Sequence, residues 1–115
     1  MSTAIAVVYK FKLKTDRVEE YLAHYAHMVT FMKQRGATGS VIHQAEDGSL
    51  MIYSRWPDRA THQTAWPEED QREAELPHDI YILSEQMKDC IAENISKSTF
   101  TVQQDYLLEE TTQRH

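Results

Sequence analysis

His62 and Trp66 stand four residues apart in the stretch His-Gln-Thr-Ala-Trp. On a helix this spacing puts an imidazole and an indole on one face. A neutral imidazole takes a proton from a phenol near pH 7. An indole adds a flat apolar wall with a single N–H. The pair suits proton transfer with an acidic group of an aromatic molecule, leaving an anion. Such chemistry needs an aromatic, dry cavity and a cation or hydrogen-bond donor beside the anion. His62 and Trp66 are the candidate catalytic residues, and Tyr25, Tyr53, Arg55 and Trp56 the candidate substrate-binding residues. Each has a plainer alternative. His62 serves as well as a solvent-facing helix residue, Trp56 and Trp66 as core filling, and Tyr21 and Tyr25 as packing on a helix stripe. Arg55 among apolar strand neighbours needs an anion, either a bound phenolate or a carboxylate across a dimer interface.

Other chemistry finds less support. His24 and His27 are three apart and could both reach a metal, but no third ligand lies at matching spacing. Cys90 is the single cysteine and has no histidine partner nearby, so it reads as a small core residue. No phosphate loop, dinucleotide glycine pattern, Cys-x-x-Cys or His-Glu-x-x-His occurs, and three glycines cannot build a nucleotide cradle. No metal and no cofactor is expected.

The elements that must position these residues follow from periodicity. Ile5, Val7, Tyr9, Phe11 and Leu13 alternate as one face of a strand. Asp16 and Glu19 predict a helix cap and its reciprocal partner. Val18, Tyr21, Leu22, Tyr25, Met28, Val29 and Met32 then make one helical stripe, with Gly36 as its left-handed end. Two strands, Ser40–Ala45 and Leu50–Trp56, flank Asp47-Gly48, a strong hairpin signal. Asp58 caps a short helix from Arg59 to Trp66. Pro67–Glu75 is very acidic and reads as a loop or an exposed helical turn. A helix starts near His78, with Ile80, Leu83, Met87, Cys90 and Ile91 as its stripe. The last strand is expected at Ser98–Leu108, with Phe100, Val102 and Tyr106 on alternate positions. Residues 1–108 are expected to form one domain, and 109–115 a polar tail.

This order predicts an α+β, ferredoxin-like fold, an antiparallel sheet with helices on one face. The chain has 115 residues, enough for one domain with a real core. Its formal net charge is -6 and no basic stripe forms, so nucleic acid is not an expected partner. The longest apolar run, Ala4 to Tyr9, is too short to span a bilayer, so no membrane partner is expected. No secretory signal is read at the N-terminus, and one cysteine fits a reducing, cytoplasmic setting. Val41, Ile42, Met51 and Tyr53 make both faces of the hairpin apolar. A second subunit covering the outer face would explain that, so a two-fold homodimer packed sheet to sheet is expected.

The stretch GATGSVIHQAEDGSLMIYSRWPDRATHQTAW, from Gly36 to Trp66, resembles the antibiotic biosynthesis monooxygenase domain family. The resemblance lies in Gly39-Ser40 with His43, Asp47-Gly48, Tyr53 with Trp56-Pro57, and the helix to Trp66. It implies a dimeric α+β barrel with a pocket between sheet and helices, where Trp66 matches a pocket-facing tryptophan. It also implies a cofactor-independent monooxygenase acting on a small aromatic phenol or quinol. A non-catalytic dimer that binds a small molecule or a partner is the alternative. The family's haem-degrading branch uses an asparagine on the first strand, and the strand AIAVVYKFKLK has none.

Overall fold

The computed structural model describes residues 3–106. The alternating N-terminal stretch forms β1 (Ile5–Leu13), and the long stripe forms α1 (Val18–Gln34). The hairpin is β2 (Gly39–Gln44) and β3 (Leu50–Trp56). A short helix α2 (Arg59–Ala65) follows, then a 3-10 turn (Glu69–Gln71) and α3 (Arg72–Glu75). Helix α4 (His78–Asp89) leads into β4 (Ile91–Thr101). The strands form one antiparallel sheet in the order β2-β3-β1-β4, the ferredoxin-like arrangement. The sheet of one chain stays open.

Strand alternation decides what meets the helices. Ile5, Val7 and Phe11 of β1 and Leu50, Ile52 and Trp56 of β3 are buried on that face. Phe11, Tyr21, Leu50 and Ile52 form one cluster, and Met28, Phe31, Leu76, Ile80 and Leu83 form another between helices. Each such side chain contributes roughly 1.5–3 kcal/mol by leaving water.

Two glycines carry the turns. Gly48 has φ 88° in the hairpin, where the Asp47 carboxylate accepts from the Ser49 backbone N–H (2.9 Å) and hydroxyl (2.6 Å). Gly36 has φ 109° after α1, and a Cβ there would sit 2.7 Å from Cγ2 of Thr61. The position therefore needs glycine both for its backbone angle and for the close approach of α2. Asp58 caps α2 as expected, accepting from the Thr61 N–H at 2.7 Å.

Three expectations need correction. Asp16 does not cap α1; Arg17 holds the cap position with no side-chain cap bond. The Lys14 N–H donates to the Cys90 carbonyl (2.9 Å), which pins the chain so that the helix begins only at Val18. Arg17 instead donates to Glu20 (2.7 Å) and Asp89 (3.1 Å), tying α1 to the end of α4. Second, Cys90 and Ile91 do not extend the helix stripe, because α4 stops at Asp89. Third, the last strand is Ile91–Thr101 and not Ser98–Leu108. It pairs with β1 along its whole length, from Leu13↔Ile91 to Ile5↔Thr101. Register shifts at Lys10/Phe11 and Lys12/Leu13 break its side-chain parity. The strand is exposed from Ala92 onward, so no clean apolar alternation marked it. Tyr106 lies beyond the strand, and Leu107 to His115 lie outside the described residues.

Among the described residues no helix is long and apolar enough to cross a membrane.

Candidate functional site

Between the sheet and the helices lies a cavity of about 490 Å³, within the range of small-molecule sites. Its floor is the helix-facing side of β1 and β3. There Tyr9, Phe11, Ile52, Ser54 and Trp56 project at alternate positions. Helix α1 supplies Tyr21, Tyr25 and Met28, one wall from its core stripe. Helix α2 and its exit supply His62 and Trp66, and α3 adds Arg72.

His62 packs edge-on against Trp56, ring centroids 5.0 Å apart at 70°. The imidazole is half-buried. Burial lowers its pKa below 6.5, and the positive charges of Lys97, Arg59 and Arg72 push it the same way, against Glu68. His62 is therefore neutral at pH 7 and able to accept a proton. Trp66 ends α2, its backbone N–H bonded to the His62 carbonyl at 2.8 Å. The Arg72 guanidinium lies over the Trp66 ring, 4.5 Å from its centroid. Its Nε donates to the Pro67 carbonyl at 2.9 Å, which fixes the stack. Lys97 of β4 places its ammonium 5.6 Å from the Tyr9 ring centroid.

Three tyrosines complete the walls. Burial raises the pKa of Tyr9, Tyr21 and Tyr25, so all three phenols stay protonated at neutral pH. Arg72 pulls Tyr9 back down, and Tyr25 adds to its rise. The Tyr25 hydroxyl is hydrogen-bonded to the Ser40 hydroxyl of β2. The Trp56 indole N–H is buried and has no acceptor among the described residues.

The structure brings Tyr25, Trp56, His62 and Trp66 together around this cavity. It does not bring Tyr53 and Arg55 there. Ser54 and Trp56 face the helices, so Tyr53 and Arg55, at the intervening positions, face the other side of the sheet. Arg55 finds its anion in its own chain, the Asp105 carboxylate at 2.7 Å. Tyr9, Arg72 and Lys97 also line the cavity and were not singled out from sequence. Tyr9 did share the apolar face of β1, which was the available signal. Arg72 was masked by the acidic stretch around it, and Lys97 by the irregular parity of β4. His24 lies elsewhere, 3.3 Å from the Glu20 carboxylate.

No family model matches the chain, and no curated protein matches it. Solved structures do. The chain is similar to SnoaB, a cofactor-independent oxygenase from Streptomyces nogalater, with a TM-score of 0.70 at 13% identity. The match covers 91% of this chain and 98% of SnoaB. It is similar to a candidate antibiotic biosynthesis monooxygenase from Chloroflexus aurantiacus J-10-fl, with a TM-score of 0.71 at 12% identity, over 93% of this chain and 100% of that one. It is also similar to a dimeric ferredoxin-like protein from an uncultured marine organism, with a TM-score of 0.65 at 11% identity, over 94% and 95%. Its structural neighbours are thus antibiotic biosynthesis monooxygenase-like proteins, and the chain shares their fold.

Proposed function

We propose that the chain is a cofactor-independent monooxygenase acting on a small phenol or quinol in the cavity between sheet and helices. The observation that carries this is His62: a neutral, half-buried imidazole on the wall of an aromatic cavity, with two cations nearby. The fold shared with SnoaB is consistent with it.

In this reading His62 takes the phenolic proton. Arg72 and Lys97 stabilise the resulting anion, which is worth more inside a dry site than in water. The tyrosines remain neutral and serve as walls and donors. The substrate anion passes electrons to dioxygen one at a time. One oxygen atom stays on the ring carbon, and the other leaves as water with two hydrogens from the substrate. Trp66 and Trp56 hold the ring flat against the floor. Tyr25 borders the ring from α1. The protein acts as a homodimer packed sheet to sheet.

The test is oxygen uptake with small naphthoquinols, run beside tryptophan-fluorescence titration of wild type and Trp66→Phe. Saturable quenching that the variant loses, together with enzyme-dependent oxygen uptake, supports the reading. Quenching with no oxygen uptake above the buffer rate leaves a binding dimer and rejects the oxygenase.

A further inference from the structure

The chain is acidic, with a formal net charge of -6, yet the cavity is bordered by the opposite charge. Strand parity turns the Lys10 side chain to the other sheet face. The remaining charged lining residues are Lys33, Arg72, Lys88 and Lys97 against a single carboxylate, Glu69. Lys88 already pairs with Glu69 at 2.5 Å and with Glu85 at 3.1 Å. Arg17 and Arg55 also have carboxylate partners. Among the described residues Lys33, Arg72 and Lys97 have none within ion-pair distance, and of these Arg72 and Lys97 also lie over aromatic rings of the cavity.

Both cations border the same cavity: Lys97 lies over the Tyr9 ring and Arg72 over the Trp66 ring, and both rings line it. They approach from different elements, α3 and β4. Arg72 is the more fixed of the two. Its guanidinium carbon lies over Trp66, and its Nε is committed to the Pro67 carbonyl. That leaves the two terminal nitrogens as an end-on fork, the geometry that meets two carboxylate oxygens at once. Two like charges held beside one apolar cavity repel each other and gain from an anion between them.

We propose that the cavity selects an aromatic ligand bearing a carboxylate, clamped between Arg72 and Lys97. This rests on the cavity being an aromatic-ligand site, but not on oxygen chemistry. A ring carboxylate is flat, so its ring stacks on the tryptophan and tyrosine walls while its oxygens reach the fork. Arg72 and Lys97 then set specificity, and His62 meets the phenol.

The experiment is calorimetric titration with 1-hydroxy-2-naphthoate and with 1-hydroxy-2-naphthamide, which differ in charge and little in shape. Wild type should bind the acid at least tenfold more tightly at 50 mM salt. The preference should shrink severalfold at 500 mM salt as screening lengths fall. Arg72→Gln and Lys97→Gln should each weaken acid binding far more than amide binding and so lose most of the preference, with circular dichroism reporting that they fold. Arg72→Lys should be intermediate. Equal affinity for acid and amide in wild type overturns the proposal, as does a preference that survives both variants. Binding of neither compound overturns it together with the aromatic site. A quinol amide oxidised as fast as its acid would sink the clamp and leave the oxygenase standing. Acid preference without oxygen uptake on the matching quinol would do the reverse.

Discussion

At the scale of single residues, His62 and Glu20 titrate in opposite parts of the acid range. His62 has a folded pKa below 6.5, chiefly through burial. A base is useful only while neutral, so activity should be flat above pH 6.5 and fall on an acid limb below it. His62→Gln should lower kcat/KM by about 10²–10⁴ and remove the limb. An unchanged pH profile in this variant would mean that another group takes the proton. Glu20 is held down to about 2 from 4.5, mainly by its hydrogen bonds from Arg17. A depressed carboxylate stabilises the fold above the unfolded value and loses that contribution as pH falls through the folded one. Glu20→Gln should therefore melt lower than wild type at pH 6. The gap should close between pH 4.5 and pH 2, as read by circular dichroism. A gap that is constant with pH would show that the carboxylate charge contributes nothing.

At the scale of elements, the α2 segment is positioned by two small devices. Gly36 lets the chain leave α1 at positive φ with no side chain in the way of Thr61. Gly36→Ala should destabilise by at least about 1–2 kcal/mol, the cost of a left-handed conformation for a residue with Cβ, plus the clash at 2.7 Å. Thr61→Ser removes the methyl while keeping a hydroxyl. The double variant should recover the clash part and not the backbone part, so urea melts should show non-additive losses. Strict additivity would mean that the methyl moves aside freely. Asp58→Ala should cost about 1 kcal/mol through loss of the cap on α2, and should weaken Trp66 quenching in parallel.

The same elements show what could be read in advance. Periodicity placed β1 and the body of α1, because each buries one face and so writes its period into the sequence; the Asp47-Gly48 turn placed the hairpin, and the Asp58 cap placed α2. Periodicity failed at β4, an edge strand exposed from Ala92 onward and interrupted by register shifts. The family resemblance pointed Trp66 to the cavity, and the four-residue spacing carried His62 with it; Trp56 and Tyr25 were candidates by residue type, and all four line it. Tyr53 and Arg55 were put there wrongly, although the parity of β3 already separates them from Trp56. Arg72 and Lys97 come to one cavity only through the tertiary fold, twenty-five positions apart in sequence. Neither sits in a local pattern, so no spacing could pair them.

At the scale of the whole molecule, the outer sheet face is the unsettled surface. The positions that alternate with the core put Ala6, Val8, Met51, Tyr53, Val41 and Phe100 on it. Val41 is 49% exposed and Phe100 54% exposed. The Arg55–Asp105 pair brings the segment after β4 onto the same side. Beside it, β4 is an 11-residue edge strand with exposed side chains along nearly its whole length. Long edges and apolar sheet faces invite pairing with another chain. A second copy meeting this face by a two-fold axis would cover both, with the same patch used on each side. Light scattering should then give twice the 13.4 kDa of one chain at micromolar concentration. Val41→Glu with Phe100→Glu should shift the mass toward one chain. The cavity lies on the opposite face of the sheet, so the separated chain should still bind the aromatic ligand, with affinity changed by less than about tenfold. A wild-type monomer would remove the sheet-to-sheet dimer. A dimer unmoved by both charges would place the contact on another face.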